Sequence, residues 1–356
     1  MTVESPVRPE ARPITIRRAT HSPSTKAAAI VVGLTAILAV ILVAFGLPAS
    51  RSAPHDVPIG VSGPAAVTEQ VRQLLDQKSP DAFAVTAYAD DAALRAAIRN
   101  REAYGGISFD ADRPMEGGGP TLLTASGASP MIAQLLNQVG AGLAAQSGAP
   151  LRTQDLAPLP AGDPRGVGLA ASALPLTLAG LLPAYVFVLL FKREVWLRFA
   201  STVVFAGVAA LTVALLLRYL FGSIDQNLWG VTAGLVLGAL AMGLPVLGLG
   251  SLFGKAGLGV GAAVTMLLGN PFSGLSSAPE VLPRGWGAFG QLLPQGANAT
   301  LLRSTAYFDG AGAASAVAVL LCWATAGVAL VAIAAIRGPG SADPRPGGHG
   351  AHRARQ

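Results

Sequence analysis

Six apolar stretches divide this chain, and their spacing constrains the fold more than any other feature. The first stretch covers residues 27–47, a polar insert of more than one hundred residues follows it, and the other five come in quick succession. An α-helix rises about 1.5 Å per residue, so roughly 20 apolar residues cross the hydrocarbon core of a bilayer. The pattern predicts a mainly α-helical polytopic membrane protein with six transmembrane helices, whose insert lies on one side of the membrane.

The composition agrees with a chain embedded in a lipid bilayer. Hydrophobic residues make up 52% of the sequence and charged residues only 12%, whereas soluble proteins contain about a quarter charged residues. The net charge of +6 comes from basic residues in the tails, the short loops and the insert, without interleaved aromatics, so nucleic acid is not an expected partner. Abundant Ala and Gly, and Arg in excess over Lys, are typical of a G+C-rich bacterial genome, which predicts a bacterial plasma membrane.

Basic residues in the short loops predict the orientation. They cluster in the N-terminal tail, in the turns after the second and fourth stretches and in the C-terminal tail. Six spans bring all of these segments to one side, so by the positive-inside rule both termini are cytoplasmic and the insert is extracytoplasmic. The first stretch is also compatible with a cleaved signal peptide, but its apolar run exceeds the usual 7–15 residues, which favours a retained helix.

These observations predict a linear domain organisation. It consists of a disordered cytoplasmic tail at 1–26, transmembrane helix 1 at 27–47, an extracytoplasmic α/β domain with a Pro-rich connector at 48–165, a five-helix bundle at 166–336 with a re-entrant outer segment at 270–303, and a disordered cytoplasmic tail at 337–356. Within the bundle the predicted spans are Val167–Phe191, Phe199–Leu217, Leu228–Leu249, Leu258–Leu268 with its extension, and Ala313–Ile336.

The insert alternates strand and helix patterns. Strands are predicted at 57–61, 83–88, 104–109 and 120–125, with amphipathic helices between and after them. Such alternation favours a small α/β domain. Because the sole cysteine, Cys322, lies in the last apolar stretch, the domain must fold without a disulfide. Residues 147–166 are Pro-rich and are predicted as the connector back to the membrane.

No pattern of catalytic residues occurs in the sequence. Residues Gly248–Ala256 approach a phosphate-binding loop, but the glycine spacing is wrong and Ala256 replaces the Ser or Thr that holds magnesium. His349 and His352 lie in the predicted tail without a third metal ligand. We therefore predict no enzyme activity, cofactor or metal site. No ionisable residue lies near the middle of a predicted span, which argues against ion-coupled transport.

Two further patterns concern the bundle. Gly230, Gly234 and Gly238 align on one helix face, which indicates close helix packing, either within the chain or at a dimer seam. Prolines then interrupt 270–303, yet aromatic and Leu side chains make this segment too apolar for a solvated loop. Two short helices in a re-entrant or interfacial position satisfy both constraints.

The layout of one span, an external domain and five spans resembles the membrane subunits of ABC-2-type transporters, especially the phage-infection-protein (Pip)-like branch. The specific motifs lie between Gly254 and Arg303: Ser273-Gly274, Pro279, Leu282-Pro283, Leu293-Pro294 and Leu302-Arg303. The resemblance implies a permease subunit, typically dimeric, that exports lipids, polymers, drugs or peptides with a separate cytoplasmic ATPase.

The resemblance also implies roles for particular residues. Lys192, Arg193 and Glu194, in the most charged short cytoplasmic turn, are the candidate ATPase contact. Candidate residues of an outer re-entrant gate are Gly274, Pro279, Pro283, Trp286, Pro294 and Arg303. That turn is short and the N-terminal tail offers no clear amphipathic helix, so a Pip-like envelope protein that works without an ATPase is the alternative.

Overall fold

The computed structural model describes residues 23–109, 120–147, 151–274 and 277–337. The chain divides into two units, residues 1–43 and 44–356. Helix α1, Pro23–Ser50, is an apolar helix that begins in the first unit. The predicted disordered tails lie outside the described residues, apart from their innermost positions, which belong to the ends of helices.

A five-stranded mixed sheet forms the centre of the polar insert. Its elements are β1 Val57–Ser62, α2 Ala65–Lys78, β2 Phe83–Tyr88, α3 Asp91–Arg99, β3 Gly105–Ser108, β4 Thr121–Thr124, α4 Pro130–Ser147 and β5 Arg152–Asp155. The strand order is β2-β1-β3-β4-β5. All neighbouring pairs are parallel except the antiparallel pair of β3 and β4. The predicted α/β fold of the insert is therefore confirmed.

Helices cover both faces of this sheet. Helices α2 and α4 pack on one face, where Val71 and Ile132 join the odd-numbered residues of β1. Helix α3 packs on the other face through Leu94 and Ile98. Leu122 and Leu123 of β4 belong to these two cores in turn, as the two-residue period of a strand requires. Each face of the sheet thus has its own apolar core.

The predicted connector at 147–166 is wrong in one part, because β5 lies within it and pairs with β4. The four residues of β5 are polar and largely exposed, so the strand carries no hydrophobic alternation. It is held at the sheet edge by its backbone, in parallel register from Thr121↔Arg152 to Thr124↔Asp155. The sheet domain accordingly extends beyond residue 146.

The remaining elements form a helical bundle. They are α5 Val167–Ala171, α6 Ala173–Leu190, α7 Val195–Tyr219, α8 Leu228–Phe253, α9 Lys255–Val264, a π-helical turn Thr265–Gly269, α10 Asn270–Phe272, a 3₁₀ turn Pro279–Val281, α11 Trp286–Gln291, α12 Pro294–Tyr307 and α13 Ala314–Arg337. Helix α8 is central and packs against α6, α7, α9, α12 and α13.

Among the described residues, five helices are long and apolar enough to cross a membrane. They are Pro23–Leu47, Val167–Leu190, Val195–Tyr219, Leu228–Phe253 and Ala314–Arg337. The chain is thus mainly helical with the character of a multi-pass membrane protein. The fifth predicted span, Leu258–Leu268 with its extension, is not one uninterrupted α-helix: α9 has ten residues and continues through the π-helical turn into α10.

Candidate functional site

A cavity of about 420 Å³ lies between the sheet domain and the broken segment of the bundle. Its wall includes Arg101, Tyr104, Glu280, Gln291, Thr300 and Arg303, and we call it the arginine cavity. Asp56 and Glu102 also line it and are exposed, so they stand at its rim. The volume falls within the range of small-molecule sites, and the polar groups come from distant parts of the sequence.

Arg101 reaches the cavity from the turn after α3. Its φ angle is 64°, a left-handed backbone conformation. One guanidinium nitrogen, Nη1, donates to the carbonyl oxygen of Thr300 at 2.9 Å and to Ser304 Oγ at 2.7 Å. The guanidinium also lies 5.3 Å from the centre of the Phe308 ring. Arg101 therefore binds the sheet domain directly to α12.

Burial lowers the pKa of Arg101 to about 10, and the neighbouring charge of Arg303 acts in the same direction. Tyr104 and Glu280 partly oppose this shift. Arg101 nevertheless remains charged at neutral pH, so a half-buried cation faces the cavity. A desolvated cation is costly unless it is hydrogen-bonded and electrostatically compensated.

Tyr104 and Glu280 form a second link between the two parts. The Tyr104 hydroxyl donates to Glu280 Oε2 at 2.7 Å. Burial raises the pKa of Tyr104, and the charge of Glu280 and this hydrogen bond raise it further, so Tyr104 stays protonated. The backbone N–H of His55 donates to the carbonyl oxygen of Glu280 at 3.0 Å. The 3₁₀ turn is thereby fastened to the start of the sheet domain.

Arg303 projects from α12 and is only 7% exposed. Its Nη1 donates to the carbonyl oxygen of Gly274 at 3.4 Å, and Gly274 has a φ of 62°, which favours glycine. Of the predicted gate residues, Pro279 and Arg303 line the arginine cavity, and Gly274 lies next to both of them. Arg303 is the chemically most capable residue of this group.

The other predicted gate residues have packing positions. Trp286 packs edge-on against Phe272 at 4.9 Å between ring centres. Pro283 is half-buried between the 3₁₀ turn and α11. Pro294 is the first residue of α12 and lines a separate cavity of about 30 Å³, which Met242 and Trp323 also line. These three residues shape the segment without lining the arginine cavity.

Helix α12 runs antiparallel to α8. Asn227 Nδ2 donates to the carbonyl oxygen of Thr305 at 2.9 Å, and further along α8 a Cβ atom at Gly234 would contact Leu301 and Leu302. A Cβ atom at Gly238 would clash with the Asn298 side chain. Two of the three predicted packing glycines thus accommodate α12 of the same chain. The third, Gly230, donates its N–H to Oδ1 of Asn227, the residue that caps the start of α8.

Polar side chains follow α12 into the bundle. Gln295 is buried, and its Nε2 donates to the carbonyl oxygen of Thr265 at 3.0 Å. This carbonyl belongs to the π-helical turn, where the regular α-helical pairing is interrupted. Asn298 is 2% exposed, and its Oδ1 is buried without a partner among the described residues. Neither residue was predicted from the sequence, because neither belongs to the short motifs of this segment.

A second polar cluster lies beside the arginine cavity. Asp163 accepts from the N–H groups of Val167 and Gly168, each at 2.8 Å, and from Ser223 Oγ at 2.7 Å. Burial raises the pKa of Asp163, but these hydrogen bonds outweigh it and keep the pKa below 3.8. The Tyr307 hydroxyl donates to the carbonyl oxygen of Ser223 at 3.1 Å. The cluster fixes the start of α5 against α12 and the α7–α8 loop.

A smaller cavity of about 200 Å³, which we call the side cleft, adjoins this cluster. Arg303 lines both the side cleft and the arginine cavity. The apolar part of the cleft comes from Leu159, Val167, Leu169 and Ala170. The side cleft begins where the candidate span Val167–Leu190 begins.

The predicted ATPase contact is at the other end of α6. Lys192, Arg193 and Glu194 are exposed in the short turn between α6 and α7. Nearby, Arg198 is buried and its Nη1 donates to Ser251 Oγ at 3.0 Å, which ties α7 to the end of α8. The turn is therefore exposed to solvent, and the Arg198–Ser251 hydrogen bond holds the helix that follows it.

Comparison with known proteins identifies no relative: neither a protein-family model, nor a curated protein, nor a solved structure matches this chain. Within the described ranges, no group of three His, Cys, Asp or Glu residues is arranged to hold a metal ion. The function is therefore argued from the arginine cavity, α12 and the exposed turn.

Proposed function

We propose that this chain is the membrane-spanning permease subunit of an ABC-2-type export system and works with a separate cytoplasmic ATPase. The observation that carries the proposal is α12: it is a short helix that begins beside Met242 in the interior of α8 and ends beside the sheet domain. Its polar residues face protein and the arginine cavity. A partial helix of this kind lets polar groups enter a membrane bundle from one side only.

The cost of burying these groups supports a functional role. In hydrocarbon an unsatisfied polar group costs several kcal/mol, and ionisable residues within membrane bundles commonly mark the routes of substrates or ions. Here Gln295, Asn298 and Arg303 are all buried on α12, and Arg303 lines the arginine cavity. An apolar helix would pack without this cost, so these buried polar groups favour a path for a solute.

The finer topology is part of the proposal: six spans, both termini cytoplasmic and the sheet domain extracytoplasmic. The run from Lys255 to Phe272 supports a sixth crossing, because 18 helical residues extend about 27 Å at 1.5 Å per residue. The charge of the short turns supports the orientation. Because α12 covers Gly234 and Gly238, a homodimer would have to form through a different surface of the bundle.

Cysteine labelling tests this topology in intact cells. In a Cys322→Ser background, Asp90→Cys should react with a membrane-impermeant maleimide from outside, whereas Lys192→Cys should react only after permeabilisation. Both positions are exposed, so a lack of access would reflect the membrane and not burial. Labelling of Lys192→Cys in intact cells would reverse the proposed orientation.

Capture of the partner tests the function. A tagged chain, extracted from membranes of its own host in mild detergent, should bring down one ATPase, identified by mass spectrometry. The charge-reversed double variant Lys192→Glu with Arg193→Glu should lose this partner, whereas Arg284→Glu, an exposed change near the sheet domain, should keep it. Capture of the ATPase by all three forms would remove the turn from the interface.

The alternative is a Pip-like envelope protein without an ATPase. It is favoured by the shortness of the α6–α7 turn, where only residues 191–194 lie outside the helices. Absence of an ATPase from repeated captures, with intact protein at normal membrane levels, would select this alternative. The sheet domain would then be its main interaction surface.

A further inference from the structure

Three interruptions of regular helix meet at the small cavity of about 30 Å³ inside the bundle, which we call the inner cavity. Pro245 interrupts α8, the π-helical turn Thr265–Gly269 follows α9, and Pro294 begins α12. Residues of all three elements line the inner cavity. Each interruption deprives backbone groups of the regular hydrogen bonds of an α-helix, so unsatisfied polar groups are expected to concentrate here.

The inner cavity lies near the middle of a candidate membrane span. Met242 lines it and belongs to α8, Leu228–Phe253. At 1.5 Å per residue, Met242 is about 21 Å from the first residue of α8 and about 17 Å from the last. A polar group at this depth is far from both ends of the span and must find its hydrogen-bond partner inside the bundle.

Pro245 removes one hydrogen bond from the middle of α8. Its nitrogen carries no hydrogen, so the carbonyl oxygen of Ala241, one helical turn earlier, lacks its regular donor. Ala241 and Pro245 both line the inner cavity. In membrane helices, carbonyl groups freed by proline are satisfied by neighbouring side chains, by local changes of the helix or by ordered water.

Gln295 and Thr265 bring further polar groups to the inner cavity. Gln295 is 7% exposed, and within the described part of the chain its side chain has one partner, the carbonyl oxygen of Thr265, which accepts from Nε2. Gln295 Oε1 is therefore available as an acceptor, and the Gln295 backbone N–H lies in the first turn of α12, where no helical acceptor exists. Thr265 Oγ1 donates to the carbonyl oxygen of Gly261 at 2.8 Å and keeps its own acceptor capacity.

We propose that the inner cavity binds water. A water molecule needs about 10–15 Å³ of cavity volume and two to four polar partners, so the inner cavity has room for about one or two molecules. The water donates to the carbonyl oxygen of Ala241 and to Gln295 Oε1 or Thr265 Oγ1, and it accepts from the backbone N–H of Gln295. The bundle thus holds a hydrated point near its middle. That a solute passes this point rests on the proposed permease function.

Hydroxyl-radical footprinting tests for this water, because X-ray radiolysis of a bound water molecule oxidises the side chains beside it. The purified full chain in phosphatidylcholine nanodiscs is irradiated, and methionine oxidation is measured by mass spectrometry. Met242 is only 2% exposed, so its oxidation should require water in the inner cavity. Met131 of α4, which is 45% exposed, is the positive control. An unoxidised Met242 beside an oxidised Met131 would mean that the cavity is dry and would contradict the proposal.

Variants assign the signal to the polar groups of the site. Gln295→Leu and Thr265→Val should both lose oxidation of Met242 and keep that of Met131. Gln138→Leu, at an exposed position of α4, is the control for the first change. Thr212→Val is the control for the second, because Thr212 is exposed and its Oγ1 also donates to the carbonyl oxygen one turn earlier. Unchanged oxidation of Met242 in both folded site variants would refute the water site. The readout does not involve an ATPase, so either result leaves the test of the proposed function separate.

Discussion

The sheet domain and the helical bundle achieve close packing in different ways. In the sheet domain large aliphatic side chains fill two cores, one on each face, and Leu94, Ile98, Leu123 and Ile132 are almost completely buried. In the bundle glycines let helices approach closely: Gly243 packs against Gly180, and Gly327 packs against Leu244 and Pro245. Large apolar side chains exclude water from the cores of the sheet domain. In the bundle, small residues let helix backbones approach each other, and a few polar side chains are buried between the helices.

This difference follows from the solvent that each part meets. Apolar burial drives folding in water, but it gives little preference for helix–helix contact over lipid contact in a bilayer. Small residues and interhelical hydrogen bonds then decide which helices associate. The Gln295–Thr265 and Asn227–Thr305 contacts of α12 are of this second kind.

The largest expected effect is at a close backbone contact between two long helices of the bundle. In Gly243→Leu the new Cβ would lie 2.6 Å from the carbonyl oxygen of Gly180, and a backbone atom cannot move aside as a side chain can. The cost should exceed the usual 1–3 kcal/mol of overpacking, so little folded protein is expected by size-exclusion chromatography. Gly207→Leu is the control, because nothing lies within 4 Å of a Cβ there. A normal elution profile for Gly243→Leu would refute the packing of α6 on α8.

A cavity in the sheet domain should cost somewhat less. Leu94→Ala removes a fully buried side chain between α3 and the sheet and should lower the free energy of unfolding by about 2–5 kcal/mol. Met131→Ala removes a side chain that is 45% exposed and should change it by about 0.5 kcal/mol or less. Denaturant unfolding followed by circular dichroism measures both. Equal losses would mean that the α3 core is not formed as described.

Loss of a single hydrogen bond in the bundle should have a smaller effect. Gln295→Leu leaves the carbonyl oxygen of Thr265 without its Gln295 donor, which should cost about 1–3 kcal/mol. Thermal unfolding in detergent reports the change as a lower midpoint. Gln138→Leu, at an exposed position of α4, serves as the control. A midpoint that does not fall would indicate that the π-helical turn forms independently of α12.

The smallest effect concerns pH at the junction of the two regions. Because the pKa of Asp163 lies below its ordinary 3.8 in the folded chain, the unfolded chain binds a proton first as the pH falls. The stabilising contribution of the ionised Asp163 carboxylate is therefore present above about pH 4 and is lost progressively at lower pH. Asp163→Asn should flatten this part of the stability–pH profile, whereas Asp309→Asn, at an exposed residue, should not. Parallel profiles for the wild type and Asp163→Asn would exclude this linkage.

The same contrast explains what could be predicted from sequence. Alternating and helical periodicity located β1 to β4 and α2 to α4 within a few residues, because apolar side chains repeat along each element. Periodicity could not find β5, which is polar, or the π-helical turn after α9, where the carbonyl oxygen of Thr265 accepts from Gln295 of α12. Prolines marked the interruptions at 270–303 but not the length of α12.

The candidate site was only partly visible for a related reason. Arg303 and Gly274 were predicted as site residues because they belong to the short motifs of the broken segment. Arg101 lies about two hundred residues earlier in the sequence. It joins the site only because the turn after α3 contacts α12, where Arg101 donates to the carbonyl oxygen of Thr300, 199 residues further along the chain. No local sequence pattern indicates a contact between residues so far apart in the sequence. Gln291 carries no sequence signal of its own.

The proposed function is tested most directly by ATP hydrolysis. The chain and the ATPase captured with it are reconstituted in nanodiscs, and the hydrolysis rate is compared with that of the ATPase alone and with that of the complex carrying Lys192→Glu and Arg193→Glu. The proposed function predicts a rate that depends on the chain and changes when the turn is altered. An ATPase whose rate is the same with the wild-type chain, with the altered chain and without either would contradict a permease role.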